Sequence, residues 1–274
     1  MKYDNYFGIG VAGNFAGHLE QANEAKDFEA IEVKEENQPK AIFPFYMPHL
    51  KDSFLNVYPI SSEQIEMPKT DYDLQIEPEV ALICDVTYKD KKVESITPKF
   101  FGAYNDCSIR RPDAKKISHK KNWGTSSKGL SENLFEIDSF SKGGVLDNFQ
   151  IASFHRTKGE VHQYGETSDV SSYSFNYEKL INWTIDRLNN QEDTGPAENV
   201  SSYLAGSSFP SKCIISIGAT RYTKYGEENF LKKGDESIVV VFDKRSLSFE
   251  DILEAVKSKK YTLESASFLV QEVR

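Results

Sequence analysis

Cysteine is scarce in this chain, with three residues in 274, and Cys84, Cys107 and Cys213 lie far apart with no C-x-x-C among them. That excludes a thiolate zinc site and an even disulfide framework, and it points to a reducing compartment, the cytoplasm. No apolar run approaches the roughly 18 residues of a membrane span. The opening Met1-Lys-Tyr-Asp-Asn-Tyr6 lacks the basic-then-apolar form of a signal peptide. Positive charge is also short: 33 Lys and Arg stand against 42 Asp and Glu, the formal net charge is −9, and the basic residues gather into no long stripe. Nucleic acid and anionic membranes are therefore not expected as partners, whereas a small anionic ligand depends on local charge and stays open. What is present is the composition of an ordinary globular protein, long enough for one large domain or two small ones.

Read in order, the chain opens with glycines. Gly8-Ile-Gly-Val-Ala-Gly13 fits G-x-G-x-x-G, but no βαβ unit surrounds it, so a dinucleotide site is rejected. Residues 16–28 read as an amphipathic helical segment with His18, Gln21, Ala22 and Ala25 on one face. A lone histidine on such a face is more often structural than chemical. Residues 41–49 are apolar but broken by Pro44 and Pro48, hence extended. From 70 to 175 the pattern is strands and turns, with strands within 72–88 and 97–104 and turns at 143–147 and at Lys158-Gly159. The stripe Tyr177, Leu180, Ile181, Thr184, Ile185 and Leu188 predicts a helix capped by Asn176. The polar stretch 189–211 reads as a long, mobile surface loop. Strands follow at 212–218 and 237–242, and Ser248 with Asp251 predicts a capping box on a last helix over 249–259.

The stretch with most chemical content is Asp73-Leu-Gln-Ile-Glu-Pro-Glu-Val-Ala-Leu-Ile-Cys84. Side chains at i and i+2 of a strand share a face, so Glu77 and Glu79 stand together there. Pro78 cannot donate to a ladder, which puts the pair at a strand start or an edge. Two like charges so placed repel unless a cation lies between them. The pair alone is more readily a solvated strand end than a site for a divalent cation.

Further motifs surround it: Asp106-Cys-Ser-Ile-Arg110, Trp123-Gly-Thr-Ser-Ser-Lys128, Gln163-Tyr-Gly-Glu-Thr-Ser168, Ile214-Ile-Ser-Ile-Gly-Ala-Thr220, Leu231-Lys-Lys-Gly-Asp235 and Gly13-Asn-Phe-Ala-Gly-His18-Leu-Glu-Gln21. In this order they resemble the fumarylacetoacetate hydrolase superfamily over roughly residues 7–50 and 72–243. The resemblance implies an α+β fold, mostly β, with a rolled, barrel-like mixed sheet and few helices. It implies Glu77, Glu79 and Asp106 as metal ligands and His18 on a lid as general base. It implies Lys128 as a catalytic lysine, and Arg110, Gln163 and Thr220 at the substrate. It implies homodimers. The chain departs from the family pattern where Gln21 replaces the glutamate three residues after the histidine, which leaves Glu24, or else Glu20, to support His18. Glu24 can do so only where the helix begins late or bends. The departure continues where Phe43-Pro-Phe45 lacks a lid lysine, where Asp113 replaces a glutamine, and where the tryptophan loop is one residue longer than usual. Arg111 is expected to face solvent.

Carboxylate ligands suit Mg²⁺, or Mn²⁺ or Ca²⁺, rather than zinc or copper. The expected function is therefore metal-dependent chemistry on a small oxo acid through an enolate, as C–C bond hydrolysis or decarboxylation. The alternative is a non-catalytic oxo-acid binder that kept the metal site and lost the lid base. The expected organisation is an N-terminal region with the lid at 1–65, a core at 66–245 with 189–211 inserted, and a C-terminal extension at 246–274.

Overall fold

The computed structural model describes residues 2–22, 24–29 and 31–274. Its strands are β1 (Phe7–Ala12), β2 (Ala41–Tyr46), β3 (Ile60–Ser61), β4 (Gln64–Ile65), β5 (Leu74–Gln75), β6 (Pro78–Lys89), β7 (Lys92–Asn105), β8 (Ser108–Ile109), β9 (Lys128–Leu130), β10 (Phe135–Glu136), β11 (Phe149–Thr157), β12 (Glu160–Asp169), β13 (Lys212–Ser216), β14 (Glu236–Asp243) and β15 (Ala266–Val273). The helices are α1 (His18–Gln21), α2 (Ser118–Lys121), α3 (Tyr177–Asn190), α4 (Val200–Gly206), α5 (Lys224–Glu228) and α6 (Phe249–Ser258). The fold is mostly β, as expected, with a curled mixed sheet ordered β2-β1-β13-β6-β7-β9-β3, and β10 joined to β7. A second sheet runs β12-β11-β14-β15-β4, and β5 pairs with β8 in a short ribbon.

Period-2 patterning builds the core between the sheets. Val80, Leu82, Phe101 and Ala103 of the first sheet share one apolar cluster with Ile151, Val239, Val241 and Leu269 of the second. The alternate residues of β14, Ile238, Val240 and Phe242, instead meet Ile252 and Val256 of α6. β15, near the C-terminus, pairs with β14, while β1 lies between β2 and β13. The three segments separated on the sequence thus meet in shared sheets. The three cysteines are buried free thiols. Among the described residues no helix is long and apolar enough to cross a membrane.

Gly8 and Gly10 serve packing within β1. A Cβ on Gly8 would lie 2.1 Å from the Phe45 ring, and one on Gly10 would lie 2.2 Å from the Phe43 ring. The two aromatic residues of β2 lie where those side chains would stand.

Three local expectations change. The segment 189–211 contains α4, with Asn199 capping it through Ser202 and with Val200 and Leu204 buried one turn apart. A short i, i+4 apolar pair inside a polar stretch was too weak a signal to reveal that helix. The amphipathic segment 16–28 is not one helix: a single turn, α1, is followed by a 3₁₀ turn over Ala25–Phe28, and Asn23 lies outside the described residues. Glu77 precedes its strand rather than opening it, since β6 begins at Pro78, the position where a missing N–H is tolerated. The α3 helix with its Asn176 cap and the Ser248–Asp251 capping box form as read.

Candidate metal centre and lid

The β6–β7 hairpin register creates the site. Pro78 stands opposite Asn105 and Glu79 opposite Tyr104, which puts Asp106 across from Glu77. Two bonds lock that placement: the Asp106 N–H donates to Glu77 O at 3.0 Å, and the Glu77 N–H donates to Asn105 Oδ1 at 3.1 Å. A one-residue slip would move these side chains to the other face. Carboxylate oxygens of Glu77, Glu79 and Asp106 lie within 4.8 Å of one another, and all three residues are buried. Gly218 ends the β13 segment with φ at 118°, a conformation that favours glycine, and its N–H donates to Glu79 Oε2 at 2.8 Å.

Four cations face the acids. Arg110 donates to Gln75, Glu24 and Tyr222, and its Nη2 is 3.3 Å from Glu77 Oε1. Lys120 reaches Glu24 at 3.1 Å and Asp27 at 3.0 Å. Lys128 is fully buried, and it spends its head on the backbone carbonyls of Asp106, Cys107 and Ser127, with Asp106 Oδ1 at 3.7 Å. Lys121, at the end of α2, brings Nζ to 2.6 Å from both Glu77 Oε2 and Asp106 Oδ2.

These contacts set the charge states. Burial opposes ionisation of Glu77, yet Lys121, Arg110 and His18 bring its carboxyl down to about 2. Burial, then Asp106 and Glu77, push Glu79 well up. Burial raises Asp106 against the pull of Lys121 and Lys128. Burial disfavours the charge on Lys121, but Asp106 and Glu77 hold its pKa above the ordinary lysine value.

The donor set suits a hard divalent ion. Among the described residues Glu77 Oε1 and both Asp106 oxygens are buried without a geometrically satisfied hydrogen bond, although Lys121 Nζ lies 2.6 Å from Asp106 Oδ2. Orphaned, acceptor-only oxygens from two of the three converging carboxylates are what such an ion takes.

The segment expected to be the lid lies beside this triad, with His18 and Glu24 lining a space shared with Glu77 and Glu79. His18 Nδ1 is 3.0 Å from Thr220 O. A carbonyl only accepts, so Nδ1 carries the hydrogen and the lone pair is on Nε2. Burial lowers the His18 pKa, partly offset by Glu77 and then Glu24, so the imidazole is neutral near pH 7. Gln21 clamps the lid to Tyr222 through both backbone groups, at 3.1 and 2.8 Å. Asn14 bonds both backbone groups of Phe175 in the same way and also donates to Ile217 O. The space enclosed by His18, Glu24, Glu77, Glu79 and Lys121 is about 20 Å³, room for about one water. A larger cleft of about 560 Å³ lies elsewhere, beside Ile83, Cys84 and Phe100, and no triad residue lines it.

The structure therefore brings together His18, Glu24, Glu77, Glu79, Asp106 and Arg110, with Lys128 behind Asp106. The break between α1 and the 3₁₀ turn brings Glu24 to the site, where its bonds run to Arg110 and Lys120 rather than to His18. Glu20 is exposed. Thr220 is buried and donates from its backbone to Pro78 O at 3.1 Å, which ties the lid carbonyl to the glutamate pair. Gln163 is bound within its own strand, with its amide on Gly165 O and Thr167 Oγ1. Arg111 pairs with exposed Asp113 at the surface. Sequence reasoning missed Lys121, Lys120 and Tyr222. The basic run His119-Lys-Lys121 just before Trp123, in the one motif with an extra residue, was the available signal.

No curated protein matches the chain. Among solved structures, a fumarylacetoacetate hydrolase family protein of yeast superposes with a TM-score of 0.54 at 14% identity, covering 98% of this chain and 92% of its own. The apo form of 2-keto-3-deoxy-D-arabinonate dehydratase gives a TM-score of 0.53 at 13% identity, covering 99% of this chain and 73% of its own. The 5-carboxymethyl-2-hydroxymuconate delta-isomerase of Mycobacterium smegmatis gives a TM-score of 0.50 at 16% identity, covering 97% and 78%. The fold is thus the one the motifs resemble. The sequence pattern of DUF5718 matches residues 24–273, and the chain belongs to this family of unknown function.

Proposed function

We propose that this chain is an enzyme acting on a small anionic oxo acid through an enolate, as C–C bond hydrolysis or decarboxylation. The observation that carries this reading is that the buried His18 imidazole lines one small space with Glu77 and Glu79 of the buried carboxylate triad. One structural neighbour is by name a dehydratase of a 2-keto acid, which is consistent with the substrate class. Glu77, Glu79 and Asp106 would hold the divalent ion, Mg²⁺ or else Mn²⁺ or Ca²⁺, whose chemistry is Lewis-acid polarisation of a carbonyl oxygen. His18 takes a proton on Nε2, from the substrate or from water, while Thr220 O holds its Nδ1–H. Arg110 is the group that faces the substrate carboxylate, and its ties to Gln75 and Tyr222 fix the guanidinium for that contact. The lid opens about Gly13 and Gly17, both at positive φ, and closes to exclude water. A second copy of the chain is the proposed partner, on the family resemblance alone.

A second reading, an oxo-acid binder without turnover, is favoured by one observation: Gln21 and Glu24 are committed to Tyr222, Arg110 and Lys120, so neither hydrogen-bonds His18. A thermal-shift and turnover screen with Mg²⁺ or Mn²⁺ and oxalate, pyruvate, oxaloacetate and acylpyruvates separates the two. An enzyme shows a shift with turnover that His18→Ala abolishes. A shift without turnover supports the binder. The absence of any oxo-acid shift refutes both.

A further inference from the structure

Three of the four cations at the site have their main hydrogen bonds away from the triad, with Arg110 3.3 Å from Glu77 and Lys128 3.7 Å from Asp106. Lys128 is held by three backbone carbonyls, Arg110 by Gln75, Tyr222 and Glu24, and Lys120 by Glu24 and Asp27. Lys121 alone turns its head onto two of the three triad carboxylates, at 2.6 Å from each. Its side chain is 3% exposed, and its nitrogen stands 5.2 Å from the centre of the Phe43 ring. The backbone around it is held: Ser118 donates to Glu198, and Asn122 donates to Phe45 O and Val57 O. The position is built.

An ion shared by Glu77 and Asp106 would sit about 2.0–2.6 Å from their oxygens. For an ion held through Glu77 Oε2 and Asp106 Oδ2, the two oxygens that Lys121 contacts, that is the locus of the ammonium nitrogen. The adjoining space of about 20 Å³ cannot take a displaced ammonium beside a hydrated ion, and two cations at that separation repel.

We propose that Lys121 is a tethered cation occupying the divalent-ion position of the triad, so that an ion binds only as the ammonium leaves. The inference rests on reading the triad as a cation site, not on any oxo acid. It leaves the ion-free site paired within itself: Lys121 bridges Glu77 and Asp106, and Arg110 and Lys120 hold Glu24. It also weakens the affinity for ions by the work of expelling a paired lysine.

The test titrates metal-free, full-length protein with Mn²⁺, reads free Mn²⁺ by electron paramagnetic resonance, and measures Tm with and without Mn²⁺. Lys121→Met is expected to bind one Mn²⁺ at least about tenfold more tightly than the wild type. Its Tm is expected to fall in chelator and to recover with Mn²⁺, while the wild-type Tm barely moves. Adding Glu79→Gln should remove the gain, which places it at the triad. Lys121→Gln, whose amide still donates to Glu77, serves in the same assay where Lys121→Met does not fold without metal. Equal, tight binding by wild type and variants overturns the Lys121 proposal while keeping the cation site. Absence of Mn²⁺ binding by all of them overturns both.

Discussion

Glu77→Gln keeps the shape of the side chain and removes its charge, which makes it a clean probe of whether this carboxylate is part of a site or a solvated strand end. Glu77 is 4% exposed, with Lys121 at 2.6 Å from Oε2 and Arg110 at 3.3 Å from Oε1. Two routes give the size of the effect. A carboxyl brought from 4.5 to about 2 contributes about 3 kcal/mol of stability at neutral pH, at roughly 1.4 kcal/mol per pH unit. Removing one partner of a buried ion pair costs about 3–5 kcal/mol. The two routes agree, so Glu77→Gln is expected to lose about 3 kcal/mol in urea unfolding at pH 7 in EDTA, followed by tryptophan fluorescence. The sign of the pH dependence follows from the lowered folded pKa. The contribution is present above the unfolded pKa of 4.5 and is lost as pH falls toward about 2, so the gap between wild type and variant narrows over that window. Glu79 and Asp106, whose pKa values are raised chiefly by burial and in part by Glu77, are partly relieved by the substitution, which offsets some of the loss. A loss below about 0.5 kcal/mol, the size seen for exposed substitutions, would refute the reasoning.

Gly8→Ala puts a methyl 2.1 Å from the fully buried Phe45 ring, and urea unfolding should show a loss of about 1–3 kcal/mol; an unchanged midpoint would mean that β2 yields freely. His155 is lowered below 6.5 by burial, against the opposing pull of Asp235, so its stabilising contribution is present above 6.5 and declines as pH falls below it. Thermal melts of wild type from about pH 8 to 5 should therefore lose Tm below pH 6.5 more steeply than His155→Gln, and parallel profiles would contradict this.

The triad was legible because its logic is short-range. Glu77-Pro-Glu79 specifies a strand start by the chemistry of proline, and Asp106 follows β7 directly, so one hairpin register delivers all three carboxylates. The lid histidine was legible as a position but not as a base, since its tautomer depends on Thr220 O, some 200 residues away in the chain. Gln163 matched its motif, and its amide bonds within its own strand, a partner choice that a motif does not specify. α4 was hidden because one buried i, i+4 pair carries too little periodicity to stand out from a polar loop.

By itself, then, the sequence determined the fold class, the hairpin carrying the acidic pair, the capped helices and the candidate ligands, since propensity, capping and alternation act over a few residues. Only the tertiary structure decided which charges meet. Lys121 comes from a one-turn helix held by Glu198, Phe45 and Val57, and nothing local in His119-Lys-Lys121 says which of its lysines turns inward. Burial then does what composition cannot, turning an exposed-looking basic run into the counter-ion of a carboxylate triad.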